Sequence, residues 1–334
     1  MKIAIVNDLQ LEIEVLKKAL LPLSDIEIIW TAINGKEAVI KTKTHKPDLI
    51  LMNLIMPVMD GAMATSVIMD ENPVAIMIVT SSVEKNQSKV FNALGNGALD
   101  VVVTPYYDRN GNLCGTEDLI RKIQTISKII NANLARINSE FFEANAFPKS
   151  KLIAIGSSTG GPKALSFLLQ NLPQKLDVAI AIIQHVDNQF AQGLANWLGT
   201  YTKHKVKIAE NNEEIKNGVI YVAGTNDHLI VAQNQKFAYT PEPFDYPYRP
   251  SVDAFFNSIA ENWKKKSLAI LLTGMGNDGA KGLLKLRQSG WTTLAQDKES
   301  SVVWGMPKAA LEFGAVSEVN SLFEISKKLN KYIS

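Results

Sequence analysis

Short aliphatic runs bounded by polar or glycine-rich stretches alternate along this chain with segments whose apolar residues recur at helical spacing. That alternation predicts parallel sheet with helices on both faces. In residues 1–120 the pattern predicts strands over Lys2–Val6, Ile26–Trp30, Asp48–Met52, Ala75–Thr80 and Val101–Thr104, with helices between them in a flavodoxin-like order. From Glu117 to Ala144 the apolar positions Leu119, Ile123, Ile126, Ile130, Leu134, Ile137 and Phe141 keep helical spacing, so the last helix of the first half runs on as a connector. Polar and small residues followed by Phe147-Pro148 close it, giving an organisation of 1–120, a linker over 121–150 and a second domain over 151–334.

The second domain opens on KLIAIGSSTGG, Lys151 to Gly161, and Pro162 stands where a helix takes its first turn. A strand over Val178–Ile183 ends in Gln184-His185, and one over Leu268–Leu272 ends in TGMGNDG, Thr273 to Gly279. Short strands at Val206–Ala209, Val219–Ala223, Leu229–Ala232 and Phe237–Tyr239 read as hairpins attached to the main sheet. A stiff loop, Pro241 to Pro250, leads into a helix that Ser251 caps and that reaches Trp263. Strands at Thr292–Gln296 and Val316–Val319, a helix over Pro307–Phe313 and a terminal helix complete an α/β domain with a doubly wound parallel sheet.

Composition narrows the setting. A chain of 334 residues with 46% hydrophobic content holds two domains, each with its own core. The net charge of +2 gives no basis for nucleic acid as a partner, and Lys264-Lys265-Lys266 reads as a solvated helix end. Cys114 is the only cysteine, which excludes an intramolecular disulfide and fits a reducing compartment. No apolar run reaches the length of a membrane span, and MKIAIVNDLQ enters a strand directly, so a soluble cytoplasmic protein without membrane insertion is expected.

In the first half, Asn7-Asp8 follow the first strand, Asn53 ends the third, Thr80-Ser81 end the fourth and Thr104-Pro105 the fifth. With PDLILMNLIMPVMDG around Asn53, these residues carry a resemblance to response-regulator receiver domains. That family has an acidic pair after the first strand, a phosphorylated Asp ending the third, Thr or Ser ending the fourth and Lys ending the fifth. This chain keeps Asp8 and Thr80 but has Asn7, Asn53 and Thr104 where two carboxylates and the Lys belong. An amide oxygen is a poor nucleophile toward phosphorus, and loss of two carboxylates removes charge that would hold Mg²⁺. The expectation is a pseudo-receiver in which Asn53 is a degenerate phosphoacceptor.

In the second half, GSSTGG fits either a phosphate-cradling loop, though its spacing matches no such fingerprint, or a nucleophile turn that needs a His and an acid from elsewhere. Alone, Asp278 reads as the N-cap of the following helix, whereas His185, ending an apolar strand at the same sheet edge as Ser158, reads as a site residue, with a neutral imidazole on a backbone carbonyl as the alternative. Taken together, Ser158, His185 and Asp278 each follow a parallel strand, so one sheet edge gathers a Ser–His–Asp triad. The order Ser, His, Asp and the lack of G-x-S-x-G disfavour the α/β-hydrolase fold. His204 and His228 read as ordinary loop and turn residues.

IGSSTGGP, IIQH, RPSVD, ILLTGMGNDGA and AQD…SVVWGMP resemble the catalytic domain of chemotaxis receptor methylesterases, and with the receiver the resemblance spans nearly the whole chain. It implies Ser158 as nucleophile, His185 as general base, Asp278 as orienting acid and the Met275 backbone N–H as oxyanion donor. Thr159 and Arg249 are the substrate-binding candidates. The implied activity is hydrolysis of glutamate methyl esters on methylated chemoreceptor cytoplasmic domains, with deamidation of glutamines, no metal or cofactor, and a monomeric enzyme. The resemblance also raises a chemotaxis histidine kinase as partner of the first half. The competing class is a catalytically silent or partner-gated adaptor in a signalling array.

Overall fold

A computed structural model describes residues 1–81, 83–132 and 152–333. The chain divides into two compact units, Met1–Ile137 and Asn138–Ser334. The connector expected over 117–144 is described only as far as Ala132, and its remaining residues lie outside the described ones.

The first unit runs β1 (Lys2–Val6), α1 (Gln10–Leu20), β2 (Glu27–Ala32), α2 (Gly35–Thr44), β3 (Leu49–Asn53), α3 (Gly61–Glu71), β4 (Ala75–Thr80), α4 (Val83–Gly95) and β5 (Asp100–Val103). A small ribbon follows, β6 (Tyr106–Tyr107) and β7 (Leu113–Cys114), which the apolar pattern did not signal because its residues are half-buried or exposed. Helix α5 (Thr116–Ala132) ends the described part. The sheet is parallel with strand order β2-β1-β3-β4-β5, the flavodoxin-like arrangement. Strands β1 and β3 read as unbroken apolar runs because helices cover both of their faces, and Ile3, Ile5, Leu49 and Leu51 are fully buried.

The second unit contains β8 (Leu152–Ser157), α6 (Gly161–Gln170), β9 (Ala179–Gln184), α7 (Asn188–Gly199), β10 (Lys205–Ile208), β11 (Val219–Val222), β12 (His228–Val231) and β13 (Phe237–Thr240). Then come α8 (Val252–Asn262), β14 (Leu268–Leu271), α9 (Ala280–Gln288), β15 (Thr292–Gln296), α10 (Met306–Glu312), β16 (Glu318–Asn320) and α11 (Leu322–Ile333). Seven parallel strands form one sheet in the order β10-β11-β9-β8-β14-β15-β16. The chain winds outward on one side from β8 and later returns to its other side as β14. The switch point therefore lies between β8 and β14, where open α/β sheets place their ligands.

Two expectations are corrected here. β10 and β11 are parallel members of the main sheet and form no hairpin. β12 and β13 do form a hairpin, but as a separate two-stranded sheet. Four-residue strands are too short for their apolar pattern to signal strand direction, which the hydrogen-bonded pairing decides. The last strand also starts two residues later and ends one residue later than expected, at Glu318–Asn320.

Candidate active site

β8, β9 and β14 are buried along their lengths, and their registers bring three turns together at the carboxyl edge. Ser157 pairs with Gln184, so Ser158 and His185 are the next residues on adjoining strands. Neighbouring strands lie about 4.8 Å apart. The His185 N–H donates to the Ser157 carbonyl at 3.0 Å, and the Ser158 N–H donates to the Thr273 carbonyl at 3.0 Å. These bonds fix the start of the Ser158 turn against both neighbours. Gln184 reinforces it, accepting from Ser157 Oγ at 2.7 Å and donating to the Ser158 carbonyl at 2.9 Å.

Gly274 allows the third turn to close. A Cβ there would sit 2.8 Å from Ser158 Cβ, so only a residue without a side chain lets the Thr273–Gly279 loop pass this near. The Met275 N–H that follows makes no hydrogen bond to another described residue.

His185 and Asp278 are joined directly: Nε2 and Oδ2 are 2.7 Å apart, with side chains 9% and 5% exposed. The alternative of a backbone carbonyl as the ring's partner is thus set aside in favour of Asp278. The ring stacks on Tyr248, with centroids 4.3 Å apart and planes 10° from parallel. A carboxylate accepting from Nε2 holds the proton there, which leaves the Nδ1 lone pair free. Nδ1 is buried and has no hydrogen-bond partner among the described residues. Ser158, 9% exposed, is consequently beside His185 in the sheet but not hydrogen-bonded to its ring. Catalytic hydrogen bonds of this kind are often long in unliganded enzymes and tighten when substrate binds.

Asp278 does not cap the helix that follows it, contrary to the simplest local reading. Gly279, at φ 88°, takes the N-cap position of α9. The carboxylate instead serves the start of α8. Its Oδ1 accepts from Ser251 Oγ at 2.8 Å and the Asp253 N–H at 3.0 Å, while Oδ2 accepts from the Val252 N–H at 2.7 Å as well as from His185. Burial on its own would raise its pKa, but the hydrogen bond and charge of His185, with the Asp253 and Ser251 donors, hold it below the ordinary 3.8. Asp278 is therefore a carboxylate at neutral pH, aimed at the imidazole.

The substrate-binding candidates fare differently. Thr159 follows Ser158 in the turn, half-buried, and its carbonyl accepts from Thr273 Oγ1 at 2.9 Å. Arg249 is exposed and turned back on its own loop, donating to the Phe244 carbonyl at 3.1 Å and lying over the Phe244 ring. Sequence reasoning missed Tyr248 and His228. Tyr248 stands in an aromatic-rich loop, where nothing local marks the one ring that meets His185. His228 heads β12 and is fully buried.

In the first unit, Asn7, Asp8 and Asn53 meet at the carboxyl edge of β1 and β3. Asn53 Nδ2 donates to Asp8 Oδ1 and to the Ile55 carbonyl, each at 3.0 Å. Asn7 is fully buried and donates through Nδ2 to Glu12 at 2.7 Å. Thr80 and Thr104 are buried, and Thr104 Oγ1 has no partner among the described residues. A divalent cation does not fit this cluster. An N–H₂ donor occupies the middle of the oxygens that would have to surround the ion, and amide nitrogen is no ligand for it. No group of three or more His, Cys, Asp or Glu residues suited to a metal occurs among the described residues.

Comparison with known proteins finds a family for each unit. Residues 153–329 match the CheB methylesterase family and residues 3–111 the response regulator receiver domain. A Pseudomonas fluorescens protein-glutamate methylesterase/protein-glutamine glutaminase is 46% identical over 331 residues, covering 98% of each chain. One from Cupriavidus metallidurans is 44% identical over 330 residues, covering 98% of this chain and 97% of its own. The crystal structure of the Thermotoga maritima CheB methylesterase catalytic domain superposes with a TM-score of 0.52 at 40% identity, over 54% of this chain and 97% of that one. On its matched domains and on relatives aligned from end to end, the chain belongs to the CheB methylesterase family, in the form that carries an N-terminal response regulator receiver domain.

Proposed function

We propose that this protein is a serine hydrolase that removes methyl groups from glutamate methyl esters of chemoreceptor cytoplasmic domains and deamidates receptor glutamines. The observation that carries the proposal is the His185–Asp278 pair, its buried Nδ1 without a partner among the described residues, on the strand next to that of Ser158. Ser158 Oγ attacks the ester carbonyl while its proton passes to His185 Nδ1. Asp278 keeps the other ring proton on Nε2 and offsets the charge of the imidazolium. The Met275 N–H, left without an acceptor, is the donor for the developing oxyanion; one such donor contributes about 3–4 kcal/mol to the transition state. The intermediate collapses as methanol leaves with the proton from Nδ1. Water, deprotonated by the same nitrogen, then attacks the acyl-enzyme and releases the glutamate carboxylate and Ser158. With a glutamine substrate the leaving group is ammonia. Thr159 borders the acyl position, whereas Arg249 reaches substrate only by leaving Phe244.

The first unit acts as a pseudo-receiver. Asn53 spends both of its amide protons on Asp8 and the Ile55 carbonyl, a network that needs neither cation nor phosphoryl group. Control by aspartyl phosphorylation is therefore lost, and a histidine kinase, if it binds, acts by contact alone. No helix among the described residues is long and apolar enough to cross a membrane, and we place the enzyme in the cytoplasm, where receptor cytoplasmic domains lie. Its domains are 1–120, a linker over 121–150 and the catalytic domain over 151–334.

Methanol release from methylated receptor tests the reading. The full chain turns over, and Ser158→Ala and His185→Ala each lower kcat by at least about a thousandfold with the fold retained. Substantial esterase activity in Ser158→Ala rejects the nucleophile. A fragment starting at Lys151 reports on the first unit: a faster fragment means inhibition by it, and no turnover in either form favours an adaptor.

A further inference from the structure

His228 lies outside the three turns, yet its ring is wired to them. It is 0% exposed and heads β12, paired with Thr240 of β13. Its Nδ1 accepts the Ser251 N–H at 3.1 Å, and its Nε2 faces the Pro243 carbonyl at 3.2 Å. A ring with a backbone donor on one nitrogen and a carbonyl on the other can satisfy both only as the neutral Nε2–H tautomer. Ser251 is the residue whose Oγ, at 2.8 Å, and whose helix start hold Asp278. The connected path runs from His228 through Ser251 and Asp278 to His185.

We propose that His228 is a positioning residue of the active site: by accepting the Ser251 N–H it fixes the start of α8, whose donors hold Asp278 in line with His185. This rests on the reading of Ser158, His185 and Asp278 as the catalytic groups. The surroundings keep the ring in the state required. Burial pushes the His228 pKa below the ordinary 6.5 and the Arg249 charge adds to this, outweighing the Pro243 carbonyl, Asp278 and Asp227. Tyr246 closes the remaining side with its ring edge-on. Protonation of Nδ1 would set a donor against the Ser251 N–H and release the helix start. A purely structural histidine would stabilise the loop without affecting turnover, so the two roles separate experimentally.

The test is methanol release from methylated receptor by full-length wild type, His228→Leu, His228→Asn and Ser158→Ala, with circular dichroism as the check on folding. His228→Leu fills the space but leaves the Ser251 N–H unpaired, and kcat is expected to fall at least tenfold with KM within twofold. His228→Asn offers Oδ1 near the position of Nδ1 and is expected to recover kcat to within about threefold of wild type. Nitrogen NMR of the wild-type imidazole at pH 7 is expected to show a neutral ring with its proton on Nε2. Where His228→Leu fails to fold, this measurement tests the acceptor role of Nδ1 and the turnover of His228→Asn tests the positioning role. A cationic ring, a proton on Nδ1, full activity in His228→Leu or no recovery in a folded His228→Asn overturns the proposal. Inactive Ser158→Ala beside fully active His228→Leu rejects the role of His228 alone. Retained turnover in Ser158→Ala rejects the catalytic reading on which that role depends.

Discussion

Gly156 in β8 decides where α8 starts, and a single methyl group tests this. A Cβ at Gly156 would lie 2.3 Å from Val252 Cγ1, 3.0 Å from its Cγ2 and 3.1 Å from Leu271 Cδ1. Val252 is fully buried and wedged between Gly156 and Gly279, where a Cβ would come within 2.7 Å of the same methyl. In an unstrained strand, Gly→Ala would stabilise by about 0.4–1 kcal/mol through the unfolded chain. An overlap of this depth in a packed core costs about 1–3 kcal/mol, so Gly156→Ala is expected to be destabilising. Val252 is hemmed in on two sides, and relief that lifts the first turn of α8 withdraws the Val252 N–H from Asp278, now 2.7 Å away. A hydrogen bond to a charged group is worth about 1.5–3 kcal/mol, which at the transition state corresponds to a loss of roughly ten- to a hundredfold in kcat.

The same geometry predicts the cure. Val252→Ala removes both methyls that crowd this position, at a cost of about 2–3 kcal/mol for lost burial and the cavity left behind. In the double variant the methyl introduced by Gly156→Ala occupies part of that cavity, so the combination is no less stable than Val252→Ala alone and kcat returns to within about threefold of wild type. Urea denaturation with unchanged m-values measures stability, and methanol release measures turnover. Additive destabilisation, within about 0.5 kcal/mol, would show that the two residues do not compete for one space. The account of how α8 is aimed would then be wrong.

Two further tests address buried carboxylates and the first unit. Burial, with the charge of Asp278, raises the Asp253 carboxyl from 3.8 to about 6, against the opposing donors of Gly282 and Gly279. A carboxyl whose folded pKa lies above its unfolded value loses stability as pH rises between the two. Asp253→Asn, which still accepts the Gly282 N–H, should therefore gain up to about 3 kcal/mol over wild type at pH 8 and clearly less at pH 5. Equal gains at both pH values, by chemical denaturation, would reject burial as the cause. Intact-mass measurement after incubation with acetyl phosphate and Mg²⁺ should show no added phosphoryl group, whereas stoichiometric incorporation on the first unit would refute the pseudo-receiver.

The sequence made the framework of the site readable because fully buried parallel strands leave long apolar runs. β8, β9 and β14 are such runs, and the residue types at their carboxyl ends stand out against them. Inside a turn the information is local, and locality misled where partners are distant in sequence. Asp278 followed by Gly279-Ala280 has the form of an N-cap, yet its acceptor oxygens serve a helix that begins 26 residues earlier. His228 looks ordinary for the same reason, since its partner Ser251 is 23 residues away and the bond exists only once the β12–β13 hairpin packs under the loop before α8. Even the RPSVD segment, which marks a capped helix correctly, does not reveal that the cap hydroxyl also donates to a carboxylate.

The start of α8 carries two buried carboxylates, and their environments drive them apart. Asp278 takes four donors: Ser251 Oγ, the Val252 and Asp253 N–H groups and His185 Nε2. These include the first unpaired N–H groups of the helix, where its dipole most favours negative charge. Asp253 lies within that first turn, but its strong donor is the Gly282 N–H at 2.6 Å, and it feels the charge of Asp278 as repulsion. One carboxyl is thus held below its ordinary value and the other raised to about 6. Because Val252 is wedged by Gly156 and Gly279, and Ser251 is held by His228, the backbone donors are committed to Asp278 before any substrate arrives. The imidazole thereby meets a carboxylate that needs no reorganisation when the ring takes on charge, which is the condition for electrostatic stabilisation of the transition state.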